Sequence, residues 1–168
     1  MTPVMLVSPS DPRLEAAVSS GRPLLLVAVH CHQTGSGPAE QIGRAVARVA
    51  TAHPEVTVVV PGRRHHEGVL GSYLAGIDNA LVGPPVPYGA QLRLAAASHL
   101  VLTDSQRLAR AAAALGRPVL VLSESGTPVG RPVGTDEWTI VAHTEQLLSD
   151  PAAHAELAGS WLPGAASA

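Results

Sequence analysis

Short apolar runs alternate along the chain with segments whose apolar residues recur every three or four positions. The runs are rich in Val and Leu, which is typical of strands buried on both faces of a sheet. They lie at residues 24–29, 56–60, 80–82, 99–102 and 119–122. Segments with a helical period lie at 38–49, 69–75, 90–97 and 105–115, and after Pro151. A further helix follows Thr135, which we predict to be its N-cap. This alternation predicts a parallel sheet flanked by helices, an α/β fold.

The length of the chain indicates one domain. Its 168 residues, 46% of them hydrophobic, are enough for one full core and too few for two ordinary ones. We predict a lead-in at 1–23, the α/β domain at 24–161 and a flexible tail of small residues at 162–168.

Charge and composition exclude several kinds of partner. The net charge of -2 and the scattered arginines give no basic surface for nucleic acid or for an anionic membrane. There is neither an apolar run of roughly 20 residues nor a signal peptide at the start, so we expect a cytoplasmic protein without a membrane partner. Cys31, the only cysteine, allows no intrachain disulfide. The absence of Lys excludes Schiff-base chemistry and a Walker A loop.

Polar residues follow the predicted strands at their carboxyl ends, where open parallel sheets bind ligands. Half of the eight histidines lie in just two of these turns, and imidazole suits acid/base chemistry because its ordinary pKa is near neutrality. The predicted catalytic residues are His30, His32, His65, His66 and Glu67. The predicted ligand-binding residues include Asp104 and Ser105 after the fourth strand and Glu124 after the fifth.

The turn after the first strand allows other interpretations. His30, Cys31 and His32 contain metal-ligating groups, but a zinc site needs three or four converging ligands, and neighbouring side chains of a strand point to opposite faces. We therefore predict no metal and no cofactor, with Cys31 as a buried thiol. The glycine-rich stretch 34–38 either presents amides to an anion or is a simple flexible turn.

Several of these segments resemble one family, the non-hydrolysing UDP-N-acetylglucosamine 2-epimerases. The similar segments are 24–30, which ends in His30, then 100–105 with its Thr-Asp-Ser turn, 115–122, 134–136 and 147–151. The resemblance implies a Rossmann-like domain, the C-terminal half of a GT-B fold. It also implies that His30 and Ser105 are retained ligand residues, and that Tyr88 matches a tyrosine on the nucleotide side.

The chain also departs from that family's pattern. The family's N-terminal half, which supplies the carboxylates for proton abstraction, has no counterpart in the sequence, so epimerisation by the unaided chain is not expected. Gln106 and Arg107 replace a glycine pair, and Ala111 replaces a glutamate that grips the ribose. Residues 31–33 and 127–131 differ as well. We expect UDP and UDP-N-acetylglucosamine to bind weakly or not at all, with Arg107 and Arg110 either binding phosphate or simply solvated.

Three hypotheses of function follow. The first is a repurposed, divergent enzyme that acts on a small molecule by acid/base chemistry centred on His30. The second is a split GT-B subunit that needs a partner polypeptide for nucleotide-sugar chemistry, and the third is a non-catalytic binding module. We favour the first. In each case an apolar face left by the missing half predicts a homodimer or a partner subunit.

Overall fold

The computed structural model describes residues 12–29, 36–62 and 67–161, which form a six-stranded parallel sheet with helices on both faces. The strands are β1 (Leu24–Ala28), β2 (Thr57–Gly62), β3 (Ala80–Pro85), β4 (Leu100–Thr103), β5 (Val119–Val121) and β6 (Arg131–Pro132). The helices are α1 (Pro12–Ser19), α2 (Ser36–Ala52), α3 (Glu67–Leu74), α4 (Tyr88–Ala97), α5 (Gln106–Ala114), α6 (Glu137–Ser149) and α7 (Pro151–Gly159). The predicted α/β fold is confirmed.

Two short elements were not predicted. Helix α1 lies within the predicted lead-in and buries Leu14 and Ala17 against the sheet. Strand β6 has only two residues, Arg131 and Pro132, and pairs with β5 at the edge of the sheet. A strand at the edge of a sheet need not be apolar, because it is not enclosed on both sides. The hydrophobic pattern therefore does not predict β6.

Each strand sends alternate side chains to opposite faces, and this divides the core in two. Leu25 and Val27 of β1 face the layer formed by α2, α3, α6 and α7. Leu24, Leu26 and Ala28 face the layer formed by α1, α4 and α5. All five side chains are buried, which explains why β1 reads as a continuous apolar run.

The strands lie in the order β3-β2-β1-β4-β5-β6, so the chain first adds strands on one side of β1 and then adds the rest on its other side. From β1 the chain builds outward through β2 to β3, and α4 then returns it to the other side of β1, where β4 begins. The connections that leave β1 and β4 consequently start beside each other and lead to opposite faces. In sheets of this kind a crevice opens at that point, at the carboxyl ends of the strands.

Particular side chains set the ends of the helices. The Nδ2 group of Asn79 lies 2.8–3.1 Å from the carbonyl oxygens of Ala50, His53 and Val56, and so it satisfies acceptors where α2 ends. Gly116, whose φ of 75° is in the left-handed region, ends α5 before Pro118. None of the helices in the described ranges is both long and apolar enough to cross a membrane.

A partly buried ion pair joins α6 to α2. The carboxylate of Glu137, the first residue of α6, pairs with the guanidinium of Arg48, and the Glu137 amide donates to Gln41 Oε1 at 3.2 Å. The Arg48 guanidinium also lies 4.4 Å from the ring centre of Trp138. These contacts fix the start of α6 near the carboxyl edge of the sheet.

Candidate ligand-binding site

The hydroxyl of Thr103 connects the carboxyl ends of the two central strands. Thr103 and Ala28 are register partners in β4 and β1. Thr103 Oγ1 donates to the Ala28 carbonyl oxygen at 2.7 Å and accepts from the Ser105 amide at 3.1 Å. The side chain is fully buried, so both its donor and its acceptor function are used inside the protein. The turn after β4 is therefore tied to the end of β1.

Ser105 begins helix α5 as its N-cap. Its backbone is extended, and its hydroxyl oxygen accepts from the Leu108 amide at 3.3 Å. The first amides of a helix have no partner within the helix, and the cap satisfies only that of Leu108. Among the residues that the structure describes, the amides of Gln106 and Arg107 have no acceptor, and they lie at the positive end of α5, beside the crevice. Asp104 lies half-buried in the same turn.

Tyr88 and Arg107, both predicted to bind ligand, are brought together. Tyr88 is the first residue of α4, and the Arg107 guanidinium carbon lies 3.8 Å from the centre of its ring. The Tyr88 hydroxyl donates to the Arg107 carbonyl oxygen at 3.5 Å. The first turns of α4 and α5 therefore lie side by side at the carboxyl edge of the sheet.

Glu124, also predicted to bind ligand, lines a small cavity after β5. Its Oε1 accepts from the Thr135 amide at 3.3 Å. A Cβ atom at Gly134, where φ is 67°, would lie 2.8 Å from that oxygen, so this approach requires glycine. The cavity has a volume of about 260 Å³ and is lined by Ser123, Glu124, Pro132, Val133, Gly134, Asp136 and Thr139.

Asp136, which the sequence analysis missed, provides a second carboxylate in this cavity. We predicted Thr135 as the cap of α6, but the N-cap is Asp136, whose Oδ2 accepts from the Thr139 amide at 2.9 Å and from its hydroxyl at 3.0 Å. The hydrogen bond from the Thr139 amide, followed by that from its hydroxyl, lowers the pKa of Asp136 below its usual range. Asp136 and Glu124 thus offer acceptors for hydroxyl or amine donors.

The predicted catalytic histidines, His30, His32, His65 and His66, lie outside the described residues, as does Cys31. The backbone of Glu67 begins α3, but its side chain is not among those described. No cluster of three or more metal-ligating side chains is present in the described part of the chain. The catalytic assignment stays a prediction.

Two other histidines meet at the opposite edge of the sheet. The rings of His99 and His154 stack 3.9 Å apart, and His154 Nε2 donates to the His99 carbonyl oxygen at 2.7 Å. Burial lowers the pKa of His99, and the nearby His154 and Arg117 lower it further. The His99 amide donates to Leu24 at the start of β1, which places this pair far from the carboxyl ends.

A second, wider concavity of about 550 Å³ lies between α2 and α6. It contains the side chain of Trp138, which is 61% exposed, together with Arg48 and Glu145. Arg48 is already paired with Glu137, and Glu145 lies 3.6 Å from His53. Because its charged groups already have partners, we do not assign the ligand to this groove.

The comparisons with known proteins agree with this arrangement. The sequence profile of the UDP-N-acetylglucosamine 2-epimerase family matches residues 6–167. A probable UDP-N-acetylglucosamine 2-epimerase of Ralstonia nicotianae is 34% identical over 161 residues, and the enzyme of Yersinia pestis is 32% identical over 153 residues. The match covers 88% and 84% of this chain. The fold is thus a Rossmann-like domain of GT-B type, and the chain belongs to the UDP-N-acetylglucosamine 2-epimerase family.

The chain matches only part of its relatives. It spans 42% of the Ralstonia protein and 40% of the Yersinia protein. The crystal structure of the Neisseria meningitidis UDP-N-acetylglucosamine 2-epimerase bound to UDP-N-acetylglucosamine shares the fold, with a TM-score of 0.78 and 23% identity over 88% of this chain and 43% of that one. The C-terminal domain of a group 1 glycosyl transferase from Francisella tularensis also shares the fold, with a TM-score of 0.63 and 16% identity. That match covers 89% of each chain.

Replacement of Thr103 by Val tests the connection between β1 and β4. Valine keeps the shape of the side chain but leaves the Ala28 carbonyl and the Ser105 amide unpaired, so we expect the free energy of unfolding to fall by about 1–3 kcal/mol for each of these two groups. Thr103→Ser keeps the hydroxyl and is the matched control, with a loss near 1 kcal/mol for the methyl group. Urea unfolding followed by circular dichroism measures both. Equal stability of the two variants would contradict the role of the hydroxyl.

Proposed function

We propose that this domain provides the nucleotide-sugar-binding half of an enzyme of the UDP-N-acetylglucosamine 2-epimerase type, with the ligand in the crevice between β1 and β4. The observation that carries the proposal is the fixed turn at the end of β4. There the Thr103 hydroxyl holds the Ser105-capped end of α5 next to β1. Related proteins bear the name of this enzyme, and one was crystallised with UDP-N-acetylglucosamine.

The chemistry of the crevice suits such a ligand. The amides in the first turn of α5 and the positive end of its dipole favour an anion such as a diphosphate. The carboxylates of Glu124 and Asp136, after β5, are acceptors for the hydroxyl groups of a sugar or ribose. A ligand that carries both phosphate and hydroxyl groups would therefore find partners on two sides of the crevice.

We propose that the other wall of the site comes from a second domain, on this or another polypeptide. The described residues form one sheet with its helices, and they supply one side of the crevice at its carboxyl edge. A nucleotide sugar enclosed on one side only keeps a large part of its surface hydrated, which limits its affinity. The predicted homodimer or partner subunit is one way to supply the second wall.

Direct binding measurements test the proposal. We expect weak but saturable binding of UDP and UDP-N-acetylglucosamine to the pure chain, and weaker binding of uridine, which lacks the phosphates. The absence of a carboxylate at Ala111 removes hydrogen bonds of about 1.5–3 kcal/mol each, which corresponds to ten- to a hundredfold in affinity. Saturation-transfer NMR detects contacts in this range. Identical signals for all three compounds, or none at millimolar concentrations, would refute nucleotide binding.

Acid/base chemistry centred on His30 is a second candidate function. It is favoured by one observation: β1 and β2, the strands that precede the two histidine segments, are adjacent and parallel, so their carboxyl ends, Ala28 and Gly62, lie at one edge of the sheet. Imidazole groups at that edge would face a ligand in the crevice, where they could exchange protons with it.

The imidazole signals in NMR spectra test this candidate without knowledge of the substrate. We expect UDP to shift the His30 ring signals and their apparent pKa, because the phosphates stabilise the imidazolium form. His53 is the matched control, since it lies beyond the end of α2, next to Glu55 and Glu145. His30→Ala and His53→Ala assign the two signals. A His30 signal that does not move when the site is saturated would exclude the role.

A further inference from the structure

The side chain of Arg107 is held in place by an aromatic ring. Its guanidinium lies over the face of the Tyr88 ring, 3.8 Å from the ring centre, and Arg107 is exposed. Among the residues that the structure describes, no acidic side chain forms an ion pair with it. An arginine that stacks through its face keeps its N–H groups in the plane of the guanidinium, available to another acceptor.

The position of Arg107 is electrostatically unfavourable for an arginine with a purely structural role. It lies in the first turn of α5, where the partial positive charge of the helix end repels a cation. The first turn of α4, which begins at Tyr88 without a side-chain cap, lies beside it. Two helix N-termini and a guanidinium thus concentrate positive charge at one point of the carboxyl edge.

We propose that Arg107, oriented by Tyr88, is an anion clamp that binds a phosphate group of the ligand through its side chain. The inference rests on the proposed function in that it places the ligand in the crevice after β4. It adds the residue that selects the phosphate group of that ligand. A guanidinium matches the geometry of phosphate oxygens by paired N–H···O bonds, which explains why a planar, pre-oriented arginine suits this place.

Tyr88 is the positioning residue of the clamp. Its ring supports the guanidinium from one side, and its hydroxyl donates to the backbone of the same arginine at 3.5 Å. Because the arginine side chain would otherwise be free to rotate, this support reduces the conformational entropy that phosphate binding costs. Arg110 lies one turn further along α5, is also exposed and makes no such stack, so it is the natural control.

Four variants test the clamp: Arg107→Gln, Arg110→Gln, Tyr88→Leu and Tyr88→Phe. Calorimetry with UDP, inorganic phosphate and uridine measures each, after thermal unfolding has shown that the variant is folded. We expect Arg107→Gln to weaken the binding of UDP and phosphate about tenfold, and Arg110→Gln less than about twofold, with uridine unchanged in both. Tyr88→Leu should weaken phosphate binding severalfold, whereas Tyr88→Phe, which keeps the ring, should stay close to the wild type.

The outcomes separate this inference from the proposed function. Equal losses in Arg107→Gln and Arg110→Gln would overturn the clamp, since only overall charge would then matter. Wild-type affinity for UDP in Arg107→Gln would overturn the clamp and leave the proposed function intact. Binding of inorganic phosphate that depends on Arg107, without any binding of UDP, would support the clamp and refute the nucleotide ligand. A wild-type chain that binds neither would overturn both.

Discussion

The hydroxyl group of Thr103 links the two central strands at the point where the strand order of the sheet changes direction. Its hydrogen bonds to the Ala28 carbonyl and from the Ser105 amide join β1, β4 and the start of α5 at one buried point. On either side of it the chain turns toward opposite faces, which opens the crevice. The helix end with its free amides, the stacked Arg107 and the cavity after β5 are all arranged around this point.

The distribution of partners explains why this edge, and not another concavity, is the candidate site. In the groove between α2 and α6, Arg48 and Glu137 form a pair that fixes one helix on the other. At the opposite edge the rings of His99 and His154 stack, and His154 Nε2, on α7, donates to the His99 carbonyl oxygen. At the carboxyl edge, by contrast, Arg107 stacks on the Tyr88 ring and has no ion pair with the acidic side chains that the structure describes, and the first amides of α5 point toward the crevice.

Much of the fold could be predicted from the sequence, because buried strands such as 24–28 leave continuous apolar runs that have no other ready explanation. The apolar run of β4 likewise places Thr103, Asp104 and Ser105 at the end of a strand. The stack of Arg107 on Tyr88 could not be predicted, since it joins residues 19 positions apart on different helices. The sequence predicts Thr135 and not Asp136 as the N-cap of α6, because both residue types cap helices and only the backbone geometry distinguishes them. The histidine chemistry, which depends on residues 30–32 and 65–66, stays a prediction.

Amide chemical shifts recorded during a titration with UDP show directly whether the ligand lies in the crevice between β1 and β4. We expect the largest changes at Ser105, Gln106 and Arg107, with smaller changes at Glu124 and Gly134, and we expect all of them to saturate together. Changes centred on Arg48 and Trp138, in the groove between α2 and α6, would contradict that location.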